Sequence, residues 1–164
     1  MIKLDKQNLE DILGLTPIQE GLLFHYLKNP QSDEYFEQIC LGILGRVDAG
    51  LFTKAWDAVV QTNEQLRTLF RWEKVKAPVQ IVLKEHTPHI KIIDLTHKSE
   101  SEKNILLEEI KVKDREKKFD LREIPFRVTL CILAEERHEM IISNHHIIYD
   151  GWSNGIILKE FLNA

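Results

Sequence analysis

Cysteine, proline and glycine are scarce in this chain: two, five and seven residues of 164. Two cysteines cannot build the disulfide framework of a small secreted domain. Cys40 and Cys131 both stand in apolar, strand-like segments, so they read as buried thiols, in keeping with a reducing cytoplasm. With so little glycine and proline there is no flexible linker, no low-complexity tract and no internal repeat. Long hydrophobic runs are missing too, and nothing approaches the ~20 apolar residues of a membrane span. The opening stretch "MIKLDKQNLEDILGL" lacks the unbroken apolar centre of a signal peptide. Neither sign of charge dominates, with 22 Lys and Arg against 26 Asp and Glu, which argues against a nucleic-acid surface. The most basic stretch, "KVKDREKK" from Lys111 to Lys118, is interleaved with acids and reads as the solvated face of a helix.

What is present suits one globular domain over residues 1–164, with 1–14 as a lead-in segment: 43% of the residues are hydrophobic, enough for a core. Elements alternate along the chain. In "LTPIQEGLLFHYLKN", Thr16 is placed to cap a helix that has Pro17 at its first position. Ile18, Leu22, Leu23 and Tyr26 recur at helical spacing, and Pro30 ends the run. "YFEQICLGILG" reads as a strand. Asp48 then caps a helix with an apolar stripe of Leu51, Phe52, Ala55, Trp56, Val59 and Val60. "LRTLFRW", "PVQIVLK" and "HIKIIDL" are short strands. Ser99 to Lys118 is a polar helix with a narrow stripe at Leu106, Leu107 and Ile110. Next comes a hairpin, in which Phe126, Val128, Leu130, Ile132 and Ala134 alternate before "EERHE" turns the chain and Met140 and Ile142 continue on the return strand. A last helix follows, with Ser153 available as its cap. The order α-β-α-β-β-β-α-β-β-α predicts an α/β (α+β) two-layer sandwich with a mixed or mostly antiparallel sheet flanked by helices.

Chemistry concentrates in "SNHHIIYDGWS", Ser143 to Ser153, at the junction of the second hairpin strand and the last helix. Such junctions present side chains from a rigid scaffold. Neighbouring strand residues point to opposite faces, so one of His145 and His146 turns inward while the other meets a ligand. Gly151 permits a sharp turn, and Asp150 can fold back toward the histidine or a buried arginine. A histidine takes and returns a proton near neutral pH at little cost. Three other readings stay open from chemistry alone. The histidines and aspartate can serve as metal ligands, though only one strong extra ligand lies near and the intervening "IIY" is apolar. Ser143 or Ser153 can form a triad with His146 and Asp150, without a nucleophile elbow. The cluster can also be purely structural. His25, His86, His89, His97 and His138 read as ordinary surface or core-edge residues in helices or loops.

"NHHIIYDGWS" resembles the HHxxxDG signature of condensation domains from nonribosomal peptide synthetases. "LTPIQEGLLFHYL" resembles that family's opening motif and "NEQLRTLF" its second, usually RHExLRTxF. Trp152 directly after Gly151 favours condensation over the related epimerization domains, and "QEGLLFH" resembles members that accept a donor ending in a D-residue. The resemblance covers nearly all of the chain from Leu15. It implies a fold like half of a chloramphenicol acetyltransferase-type V, an N-terminal half completed by a C-terminal one. Upstream and downstream peptidyl carrier domains would bring substrates on phosphopantetheine arms into a tunnel between the halves, beside an adenylation domain of the same chain. No cofactor or metal is implied for the domain itself. His146 matches the histidine assigned as general base or amine-positioning group, and His145 the structural one. Asp150 matches a loop-supporting aspartate that pairs with arginine, and Gly151 a glycine that leaves room for the pantetheine arm. Trp152, Ser153 and Gln19 are candidate tunnel residues. The family's leading Arg-His is Thr62-Asn63 here, which leaves Arg67 as the motif arginine for Asp150. A free-standing acyltransferase of the chloramphenicol type and a noncatalytic carrier-binding module are the alternatives. The half alone is expected to be inactive, with an exposed apolar face near the site.

Overall fold

The computed structural model describes residues 5–164. Its elements are β1 (Leu9–Gly14), α1 (Pro17–Lys28), β2 (Phe36–Leu44), α2 (Ala49–Thr62), β3 (Thr68–Arg71), β4 (Val79–Leu83), β5 (His89–Asp94), α3 (Glu100–Glu116), β6 (Phe126–Ala134), β7 (Arg137–His145) and α4 (Gly151–Asn163). The expected α/β order is present, with one addition and one division. The addition is β1, inside the stretch read as a lead-in. Its two acids break any hydrophobic alternation, so only pairing with β4 shows it to be a strand. The division is of the sheet. One sheet has the order β1-β4-β3 and is antiparallel; the other has the order β2-β7-β6-β5, with β5 and β6 parallel and the other pairs antiparallel.

Local chemistry sets the helix starts. Thr16 and Gln19 close a capping box on α1, and Ser99 with Glu102 closes one on α3. Asp48 caps α2 by accepting from Leu51 N at 2.8 Å. On α2 the expected stripe buries Phe52, Trp56, Val59 and Val60, while Leu51 stays exposed. On α1 only Leu23 is buried and Ile18 faces solvent.

The main core lies between α2, α4, the inner residues of β3 and β4, and one face of the four-stranded sheet. Trp56 is fully buried at its centre, with its ring stacked 4.7 Å from Phe161 of α4 and tilted against Phe126 at 5.6 Å. The alternation in β6 revealed only this face. The other face of the sheet is covered by α3, and there Cys131, Leu133 and Ile141 pack under Leu106, Leu107 and Ile110. Both faces of β6 are therefore dry. That explains the raised thiol of Cys131, pushed up to about 11 chiefly by burial. Cys40 is instead exposed, contrary to the sequence expectation; it lies on β2, an edge strand of the sheet. His138 also departs from expectation: it lies within β7, buried, rather than in the turn.

A polar knot fastens α3 to that second face. Arg127 of β6 donates to Asp114 Oδ1 at 2.6 Å, and its guanidinium lies 4.1 Å from the centre of the Phe119 ring. Gln38 of β2 donates to Asp114 Oδ2 at 2.8 Å, and Ser143 of β7 donates to the same carboxylate. Burial alone would raise the Asp114 carboxyl, but these hydrogen bonds and the Arg127 charge outweigh it and hold the group below the ordinary carboxylate value. A depressed carboxyl contributes stability above its unfolded pKa and loses it as pH falls through the folded one. We expect unfolding free energy to drop on acidification below about pH 4. Arg127→Met strands the buried carboxylate, costs about 3–5 kcal/mol at pH 7 and removes much of that acid-side slope, as read by urea unfolding at several pH values.

Candidate functional site

β7 runs between β6 and β2 and delivers the histidine pair at its end. Backbone bonds clamp both residues: His145 N donates to Pro125 O at 3.1 Å and His146 N to Tyr35 O at 2.9 Å. The chain then turns through Ile147, Ile148 and Tyr149, whose side chains are all buried in the main core. With these three apolar residues pointing in, the turn is itself part of the packing, and the two imidazoles are left with different surroundings.

His145 is buried, with its ring edge-on to Tyr26 at 6.0 Å and near Tyr35 at 6.1 Å. Ile147 N donates to its Nδ1 at 3.1 Å, so that nitrogen carries no proton. Burial first, and the neighbouring His146 second, push its pKa down to about 4. It stays neutral at physiological pH and braces the turn.

His146 is the accessible member, with its side chain 36% exposed. Its Nδ1 lies 2.8 Å from Tyr149 O. A carbonyl oxygen only accepts, so Nδ1 carries the proton and the neutral ring has its lone pair on Nε2. The outward nitrogen is therefore the one able to take a proton. Near it stands Glu37 of β2, with Oε1 3.8 Å from Nε2 and Oε2 accepting from Asn144 Nδ2 at 3.1 Å. Sequence reasoning missed Glu37. A single acid in a strand gives no signal until the β2–β7 register sets it opposite Asn144.

Asp150 caps α4. Its Oδ1 accepts from Ser153 N and Ser153 Oγ, each at 3.2 Å. The expectation that Ser153 caps the helix is thus corrected; it is the third residue of the helix and the donor. Arg67 does not fill the pairing role expected for Asp150. It is buried, and its guanidinium bonds Glu10 of β1, Val60 O at 3.1 Å, Leu83 O and Lys84 O at 3.3 Å. Among the described residues no ion pair joins Arg67 to Asp150. The arginine instead holds the small sheet to the end of α2. Asn63 donates to Glu160 Oε2 at 2.5 Å and so links α2 to α4.

Gly151 opens α4 without a left-handed backbone, and a Cβ there would meet nothing within 4 Å. The turn itself thus does not demand glycine, contrary to the sequence argument; the space in front of it is open. Trp152 beside it is 89% exposed. Gln19 Nε2 donates to Ile147 O at 3.2 Å and to Gln80 Oε1 at 3.1 Å, which ties α1 to the back of the histidine turn. Neither serine is hydrogen-bonded to His146: Ser143 donates to Asp114 and Ser153 to Asp150, while the His146 ring nitrogens face Tyr149 O and Glu37. That leaves the triad reading without geometry. Among the described residues no three His, Cys, Asp or Glu side chains converge as a metal site.

The family model for the condensation domain matches residues 9–164. Surfactin synthase subunit 3 of Bacillus subtilis (strain 168) is 40% identical over 165 residues, covering 100% of this chain and 13% of that protein. Tyrocidine synthase 2 of Brevibacillus parabrevis is 37% identical over 158 residues, covering 96% of this chain and 4% of that protein. The chain therefore spans a small part of these curated relatives. Among solved structures, the first condensation domain of the calcium-dependent antibiotic synthetase with a substrate analogue superposes with a TM-score of 0.81 at 23% identity, over 93% of this chain and 36% of that one. The starter condensation domain of rhizomide synthetase gives 0.82 at 18% identity, over 93% and 38%. At these identities the superpositions show the fold.

Replacing Asp150 by Ala removes the α4 cap, and we expect a loss of about 1 kcal/mol with Asp150→Asn close to wild type. Thermal unfolding monitored by circular dichroism checks both.

Proposed function

This chain belongs to the condensation-domain family, and from that premise we propose that it is the N-terminal half of an acyltransferase that joins carrier-tethered substrates by an amide bond in nonribosomal peptide synthesis. One observation carries the reading: His146 is held by Tyr149 O at Nδ1 and turns a lone pair outward at Nε2, at the end of a strand clamped on both sides. That is the geometry of a group waiting for a proton on an approaching nucleophile.

In this reading an upstream carrier presents a donor thioester and a downstream carrier an aminoacyl group, each on a phosphopantetheine arm. The acceptor amine attacks the donor carbonyl. His146 orients the nitrogen and takes its proton as the C–N bond forms, and His145 and Asp150 keep the turn in place. Open space before Gly151 is where an arm can pass, and Trp152, with its ring in solvent, stands at the rim. The domain needs no cofactor of its own. Adenylation and carrier domains of the same cytoplasmic enzyme supply the activated substrates.

A C-terminal half completes the tunnel. Support comes from apolar surface the chain leaves uncovered: Trp152 and Ile156, one turn apart on α4, and a groove of about 830 Å³ between β2, α2 and α4 lined by Leu41, Leu51, Leu158, Phe161 and Leu162. No described helix is long and apolar enough to cross a membrane.

The isolated 164-residue chain, given two loaded carriers, is expected to form no amide, and product detected by mass spectrometry would refute this. In the complete enzyme, His146→Ala should lower amide formation about 10²–10⁴-fold with the thermal transition unmoved. Unchanged turnover would remove His146 from the mechanism.

A further inference from the structure

The outward edge of His146 is shared with a carboxylate. Glu37 reaches it from β2, one strand away. Asn144 Nδ2 holds its Oε2 at 3.1 Å, and Oε1 lies 3.8 Å from Nε2. That distance is too long for a direct hydrogen bond. The placement also differs from that of a carboxylate that orients a catalytic imidazole, which sits on the ring nitrogen away from the substrate. Here that nitrogen is already taken by Tyr149 O. Glu37 stands instead at the nitrogen an acceptor must reach.

Two acceptors 3.8 Å apart are closer than twice a hydrogen-bond length. One nitrogen bearing several N–H groups can therefore sit about 2.9 Å from both. The Glu37 side chain is 27% exposed, and His146 is its ion-pair partner among the described residues. A half-buried carboxylate with so little compensation favours a cation beside it. Two other titratable groups beside the pair carry no positive charge. His145 is kept neutral by burial, and the Tyr149 hydroxyl, buried without a hydrogen-bond partner, is pushed upward by burial and then by Glu37.

We propose that Glu37 selects a cationic amine as the acceptor, binding the ammonium of the incoming aminoacyl group beside His146 Nε2; this rests on the amide-forming reading given above. The ammonium lies between carboxylate and imidazole and releases one proton to solvent. The freed lone pair forms the C–N bond with the donor thioester carbonyl. The second nitrogen proton passes to Nε2, the C–S bond breaks with its electron pair on sulfur, and the imidazolium returns the proton to the thiolate. Glu37 steadies the imidazolium in the interval. A hydroxyl acceptor carries no charge, so Glu37 gives it no comparable pull.

The test is steady-state kinetics of the complete enzyme with the acceptor-loaded carrier varied. Glu37→Gln should raise the acceptor KM at least tenfold while kcat falls much less, and Glu37→Asp should recover part of the loss. An acceptor carrier bearing a hydroxyl in place of the amine should inhibit the wild-type and Glu37→Gln enzymes equally. Unchanged KM, or an equal loss of affinity for the hydroxyl analogue, would overturn the role of Glu37 alone. Absence of amide formation by the unaltered enzyme would overturn the amide-forming reading, and this inference with it.

Discussion

Burial of Ile147, Ile148 and Tyr149 is the constraint on which the site depends. The three residues between the histidine pair and the aspartate look like a loop, yet they close the main core. Each buried side chain of this size is worth about 1.5–3 kcal/mol. A hydrogen bond of the turn, by contrast, contributes only about 1 kcal/mol net. Turning the His146 ring inward would mean withdrawing that plug, and packing wins. The position of the His146 ring is thus set by apolar side chains packed in the core, with Tyr149 serving twice: its ring fills the core and its carbonyl fixes the tautomer of His146.

The same packing separates two adjacent histidines chemically. His145 and His146 differ by one residue, yet one lies in a dry aromatic corner and the other at the surface. Desolvation depresses the first below any physiological titration, so a single proton-accepting group remains. Backbone pairing on both sides of β7 then limits motion of the pair. A strand at the edge of the sheet would lack one of those clamps, whereas β7 is inside it.

Arg67 is a motif residue whose bonds bind the small sheet and not Asp150. The guanidinium is buried and must find acceptors. It finds them in Glu10 and in backbone carbonyls around the small sheet. Asp150 meanwhile serves as a helix cap through Ser153. Asn63 ties the end of α2 to the last turns of α4 through Glu160, away from the Asp150 cap. β1, which supplies Glu10, is thereby an integral part of the fold rather than a lead-in.

The sequence by itself determined the order of elements from α1 to α4, the helix caps at Thr16 and Asp48, the hairpin of β6 and β7, and the stretch in which titratable side chains cluster. These are local properties: periodicity and capping act over a few residues, and HHxxxDG is contiguous. Tertiary structure alone decided that the strands divide into two sheets, that β6 is covered on both faces, that Cys40 is exposed, and that Glu37 meets His146 across a strand pair. Those facts depend on which segments lie side by side, and pairing partners are separated along the chain by distances over which no residue pattern carries a signal.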